Sequence, residues 1–241
     1  LFGQQAMAHT RLTVSSTLES SAAHGSTSTA VNVPHGCGDN PVIGSIMFLP
    51  DTGALMQSST DSFESFEPVE GTMLDYLTQP ATIRLVVSKD VFDTSELIMD
   101  AAGLNPIGFW AAGGSIPATN HIGRPPFTIS AVGIQPESCA NEVVIVPAIA
   151  NVCNVTGVDG IDGSDSDNPN VDVWTAPGVG TIYDAPAWNY PATYTVERDL
   201  ENNPLPESCG DGLSVRIFPS ADQVNRNMPV SIDGTQVWPA P

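Results

Sequence analysis

Short β-forming runs alternate with turn-forming residues along this chain. Glycine and proline occur 21 times each among 241 residues, and only 14% of the residues are charged. The runs of Val, Ile and Thr are bounded by clusters of Gly, Pro, Asn and Asp, which favours strands joined by turns over helices. The length suffices to bury a full core, so we expect one large β domain with long loops.

The hydrophobic pattern places individual strands. In residues 11–14 and 27–33, apolar and polar residues alternate with the period of two expected of half-buried strands. Residues 42–49 are nearly all apolar, as in a central strand of a sandwich. Asp93 and Gly103 predict the two ends of a short helix over residues 93–102. This spacing predicts an all-β, immunoglobulin-like β-sandwich with long loops and little helix. Further strands are predicted at 82–87, 127–132, 143–149, 194–197 and 213–218.

The charge of the chain is strongly negative. Twenty-seven acidic residues face seven Lys and Arg, a net charge of −20. Such a surface repels phosphate backbones and anionic lipids, so nucleic acid is not an expected partner. No apolar run approaches the roughly 20 residues that span a bilayer, so we expect no transmembrane segment, and cell-surface association would need another anchor. The carboxylates also attract cations, although solubility alone is a sufficient reason for such charge.

Four cysteines limit the cellular compartment. Cys37, Cys139, Cys153 and Cys209 form no CxxC pair and have no regular metal-ligand spacing. We therefore expect two disulfides. Stable disulfides require an oxidising environment, which predicts an exported protein of the cell surface, periplasm or extracellular medium.

Two of the histidines are candidate metal ligands. His9 precedes the first predicted strand and His35 follows the second, so adjacent strands would bring both imidazoles to one rim of the sandwich. Two facing imidazoles suit copper or zinc, and Cu(I) accepts a nearly linear pair. The same spacing is also compatible with separate surface histidines. His24 lies in a Ser, Thr and Gly-rich turn, and we expect no role for it in metal binding.

Several segments resemble the YcnI-like copper-binding domain. Residues 31–41, Val-Asn-Val-Pro-His-Gly-Cys-Gly-Asp-Asn-Pro, look like its motif, and the strand after them ends in Leu-Pro-Asp. Residues 109–117 are similar to its Trp-Gly-Gly segment, and 127–133 follow at a suitable interval. Residues 146–153 resemble its strand ending in a cysteine, and Trp174 with Pro177 its closing Trp and Pro. The resemblance implies a single domain, 1–241, with a core of about residues 9–190 and a C-terminal extension packed on it.

The resemblance also implies a ligand set. In that family an N-terminal histidine binds copper through its side chain and amine, joined by a Glu and approached by a tryptophan. These positions correspond to His9, to the neighbourhood of His35, and to Trp174. Eight residues precede His9, so the α-amine is displaced, and a site with two imidazoles favours Cu(I) over Cu(II). The resemblance further pairs Cys37 with Cys153, leaving Cys139 with Cys209.

The acidic, disulfide-bearing chain also looks like the secreted copper-binding proteins of methanotrophs, of the CorA and MopE type. Those proteins hold Cu(I) with two histidines and a tryptophan oxidised to kynurenine. The aromatic amine of kynurenine can ligate the metal, whereas an intact indole offers only its π face. The candidates are Trp174 and, second, Trp110, although tryptophans of a sandwich also serve as packing residues. This resemblance implies copper acquisition, storage or delivery rather than catalysis.

Other functions remain open at the level of the sequence. Residues 159–168 carry four carboxylates in a glycine-rich loop that Ca²⁺ could organise, but the loop lacks the final Glu of an EF-hand and equally fits a solvated insertion. One alternative is therefore a calcium-stabilised surface or adhesion module without copper. The other is a copper-dependent oxidase or monooxygenase, although the sequence identifies no Ser-His-Asp or paired-carboxylate arrangement.

Overall fold

The fold was analysed on a computed structural model, which describes residues 9–19, 25–60, 65–165 and 167–241. These residues form seventeen β-strands and a short C-terminal α-helix, α1 (Ala221–Asn227). The strands are β1 (Arg11–Leu12), β2 (Ser16–Leu18), β3 (Thr27–Asn32), β4 (Val42–Phe48), β5 (Leu55–Ser59), β6 (Glu67–Pro68), β7 (Ile83–Leu85), β8 (Thr94–Met99), β9 (Pro106–Ile116), β10 (Pro126–Ile129), β11 (Ala140–Ile145), β12 (Ala148–Val152), β13 (Val171–Trp174), β14 (Tyr194–Glu197), β15 (Leu213–Phe218), β16 (Val230–Ile232) and β17 (Thr235–Trp238).

The strands form three larger sheets and one hairpin. Their orders are β1-β3-β10-β7, β2-β14-β11-β15-β5-β6 and β13-β12-β4-β9-β8, and β16 pairs with β17. Most neighbours are antiparallel, whereas β11 with β15 and β14 with β2 are parallel. The all-β sandwich with long loops and little helix that the sequence predicts is confirmed. In the described parts of the chain, no helix is long and apolar enough to cross a membrane.

The main core lies between the sheets. Buried side chains from all three sheets meet in it, among them Phe127, Val215 and Met47. The five-stranded sheet is buried on its other face as well, because Ile46 and Phe48 of β4 point away from Met47 into a second cluster. Residues of α1 and of the hairpin β16-β17 cover that face. The C-terminal residues therefore pack on the outside of the five-stranded sheet.

The predicted helix over 93–102 is wrong. Residues 94–99 form β8, an edge strand antiparallel to β9. The Asp100 carboxylate accepts hydrogen bonds from the Leu104 amide at 2.9 Å and the Asn105 side chain at 2.7 Å, and Gly103 has a φ of +69°. Gly103, the predicted end of the helix, lies instead in the turn of a hairpin, because a glycine with positive φ serves in either place.

The predicted strand 143–149 is two strands in different sheets. β11 ends at Ile145 and β12 begins at Ala148, so the chain changes sheet at Val146 and Pro147. Proline has no amide hydrogen to donate to a ladder, which makes this position suitable for the crossing.

Both predicted disulfides are confirmed. Cys37 is bonded to Cys153 and Cys139 to Cys209. The first joins the loop after β3 to the residue that follows β12, and the second joins the segments that precede β11 and β15.

Candidate metal-binding site

The pairing of β1 with β3 brings His9 and His35 to one edge of the structure. Arg11 lies opposite Asn32 in this antiparallel pair. His9 is two residues before Arg11 and His35 is three residues after Asn32, so both lie beyond the same end of the ladder. When both imidazoles are protonated, the charge of His35 lowers the pKa of His9.

Two further links attach this edge to the five-stranded sheet. The Cys37–Cys153 disulfide fixes the His35 loop beside β12. The buried Asn151 side chain donates to Thr10 Oγ1 at 2.8 Å and accepts from Ser45 Oγ at 3.0 Å. This polar chain holds the segment of His9 against β12, and therefore beside β13.

Trp174, the last residue of β13, lies beside His9. The ring centroids of the two are 5.0 Å apart, and the indole is only 4% exposed. Tyr190 stacks on both, 5.2 Å from the His9 ring and 5.9 Å from Trp174. The Trp174 indole nitrogen is buried and has no hydrogen-bond partner within the described structure. A buried donor without a partner is unfavourable and suggests a ligand or water next to it.

His35 faces a buried carboxylate. Its Nδ1 lies 2.7 Å from the Gly36 carbonyl oxygen, which can only accept, so Nδ1 carries the proton and Nε2 keeps its lone pair. Asp172 Oδ2 is 3.5 Å from the same Nδ1, an ion-pair distance without a hydrogen bond. Asp172 precedes Trp174 by two residues on β13, so both side chains lie on one face of the strand.

A cavity of about 30 Å³ lies between these groups. His35, Asp172, Trp174 and Tyr190 line it, together with residues of the acidic loop, Gly163 and Asp165. The loop that the sequence suggested as a separate calcium site therefore borders the same cavity. Its carboxylates are engaged locally, since Asp162 accepts from Ser164 and Asp165 accepts from the amide of residue 167. Ser166 of that loop lies outside the described residues.

The environment alters the pKa values of two groups of the candidate site, Asp172 at the cavity and His9 beside Trp174. Burial raises the pKa of the Asp172 carboxyl to about 6, and the nearby His35 opposes the rise. Burial also lowers the pKa of His9, and the Arg11 guanidinium lowers it further. Both effects favour the neutral imidazole, which is the form that can bind a metal.

The other sequence candidates lie elsewhere. Trp110 is on β9, separated from β13 by two strands, and packs in the outer cluster on the face opposite Trp174. The structure does not bring it to the histidines. His121 is on an exposed loop, where its Nδ1 donates to the Thr119 carbonyl at 2.9 Å. His24 lies outside the described residues.

Asp172 and Tyr190 are the residues that sequence reasoning missed. A usable signal exists for Asp172, because the run Val171–Trp174 places the carboxylate and the indole on the same face of a strand. Tyr190 comes from a loop between β13 and β14, and no periodic pattern identifies it.

Within the described residues, no group of three or more His, Cys, Asp and Glu side chains forms a metal centre. No family model matches the chain, and comparisons with curated proteins and with solved structures find no significant similarity. The functional interpretation therefore depends on the chemistry of the cavity.

Proposed function

We propose that this is an exported copper-binding protein that holds Cu(I) through His9 and His35, with Trp174 or its kynurenine derivative completing the site. The observation that carries the proposal is the common position of the two imidazoles at one edge, with His9 packed on the Trp174 ring. The small cavity supports a role in copper acquisition, storage or delivery.

The donor set suits copper. Imidazole nitrogens are good ligands for copper and zinc, but zinc sites use three or four protein ligands, whereas Cu(I) is stable with two. Burial and Arg11 favour the neutral form of His9, and the Nε2 atom of His35 keeps its lone pair. The indole of Trp174 offers its π face, and Asp172 adds a negative charge that stabilises a bound cation. The two disulfides support an oxidising, exported location.

The test is copper binding by purified protein and by alanine variants of the histidines. We expect one equivalent of copper by elemental analysis. His9→Ala and His35→Ala should each weaken Cu(I) binding at least tenfold, which is about 1.4 kcal/mol. His121→Ala is the matched control and should bind like the parent, and so should His24→Ala. No bound copper, or equal losses in all four variants, would exclude this site.

A further inference from the structure

The side chain of Arg11 is directed at the candidate site. Its Nη1 donates to the carbonyl oxygens of Thr10 at 2.8 Å and Tyr190 at 2.7 Å. Its Nη2 donates to the Asn189 carbonyl at 2.9 Å and to His9 Nδ1 at 2.8 Å. All four acceptors are uncharged, so these hydrogen bonds fix the guanidinium without neutralising it.

Arginine can only donate, so His9 Nδ1 is the acceptor in its contact with Arg11. The Asn189 carbonyl lies 3.1 Å from the same nitrogen and also accepts from Arg11. When His9 binds a metal through Nε2, the ring proton moves to Nδ1, and the Asn189 carbonyl is in place to accept it. In that state the hydrogen bond from Arg11 Nη2 to His9 Nδ1 is lost, because both nitrogens are then donors. The three carbonyl acceptors of Arg11 hold its charge beside the His9 ring.

We infer that Arg11 is a positioning residue that makes the site select Cu(I) over Cu(II). This inference depends on the proposed function of the same site. A fixed positive charge near the metal raises the free energy of the divalent ion more than that of the monovalent ion, because the repulsion scales with the charge of the metal. Asp172, on the His35 side of the cavity, acts in the opposite direction, so Arg11 counteracts the preference for Cu(II) that a carboxylate would otherwise give.

The test measures Cu(I) and Cu(II) affinities separately, by competition with a Cu(I) chelator under anaerobic reducing conditions and with a Cu(II) chelator in air. The quantity compared is their ratio, which a loss of structure alone would leave unchanged. Arg11→Gln should lower the ratio of Cu(I) to Cu(II) affinity by about tenfold or more. Arg11→Lys retains the charge with fewer donors and should keep the ratio of the parent even if both affinities fall.

Arg84→Gln is the control for net charge. Arg84 is exposed on β7, at the opposite edge of the sheet that contains β1. The ratio of Cu(I) to Cu(II) affinity in Arg84→Gln should equal that of the parent. If both affinities fall in parallel in Arg11→Gln, so that their ratio stays that of the parent, the inference is overturned. The same holds if Arg84→Gln or Arg11→Lys changes the ratio as much as Arg11→Gln does. Either result would leave the copper site intact. A parent protein that binds neither ion would overturn the proposed function and this inference together.

Discussion

Replacing Asp172 by Asn should stabilise the metal-free protein at neutral pH. The Asp172 side chain is only 10% exposed, and its Oδ2 atom has an ion-pair contact but no hydrogen bond. Burial raises the pKa of this carboxyl from 3.8 to about 6. Because the folded state holds the proton more tightly than the unfolded chain, the free energy of unfolding falls as pH rises from about 4 to about 6. Above that window, ionisation costs about 3 kcal/mol, which Asn would not incur.

Urea unfolding of the parent and of Asp172→Asn at pH 4 and pH 7 measures this effect. The variant should be more stable at pH 7 by up to about 3 kcal/mol, roughly 6–12 °C in Tm, and the two proteins should be nearly equal at pH 4. Asp39 is exposed on the loop after His35. Asp39→Asn removes the same charge and should change the free energy of unfolding little at either pH. An Asp172→Asn variant that is no more stable than the parent at pH 7 would refute the reasoning.

Three further predictions concern the surroundings of the cavity. The Cys37–Cys153 and Cys139–Cys209 disulfides close loops of 116 and 70 residues. Removing either disulfide should therefore lower the free energy of unfolding by a similar amount, about 4–5 kcal/mol. Only the first should also weaken copper binding, and a titration showing equal losses of affinity would contradict the role of that disulfide in holding His35. In copper-loaded protein from the native host, O₂ should cleave the pyrrole ring of Trp174 to N-formylkynurenine, and hydrolysis by water should release formate and leave kynurenine, a net loss of one carbon and gain of one oxygen. Peptide mass spectrometry showing intact tryptophan throughout would remove this ligand. Asp165→Asn should lower the association rate constant for copper in stopped-flow measurements and weaken the dependence of that rate on salt concentration. An unchanged rate would exclude a role for this carboxylate in copper capture.

The sequence predicts the fold where strands are regular and pack on one core. The predicted bounds 194–197 and 213–218 agree with β14 and β15, both of which lie inside the six-stranded sheet. The edge strand β8 was mistaken for a helix because five of its six side chains are exposed and show no period of two. Its conformation depends on pairing with β9, a contact that local propensity does not encode.

The candidate site was predictable to the extent that its residues follow from strand order. His9 and His35 flank two strands that are consecutive in the first sheet, so antiparallel pairing suffices to bring them to one edge. The family resemblance suggests Trp174 first and Trp110 second, and the two residues lie on opposite faces of the five-stranded sheet. Tyr190 and the guanidinium of Arg11 reach the site through contacts between residues about 180 positions apart in the chain.

The acidity of the chain and the chemistry of the cavity have separate effects on metal binding. A net charge of −20 attracts any cation, and so it does not discriminate copper from calcium. Discrimination would depend on the donors of the proposed site, where the imidazoles of His9 and His35 and the Trp174 ring accompany the Asp172 carboxylate. Calcium requires six to eight oxygen ligands, and Asp162 and Asp165 of the adjacent loop already accept hydrogen bonds from that loop. We therefore expect the acidic surface to concentrate both cations, and the imidazoles of the proposed site to favour copper over calcium.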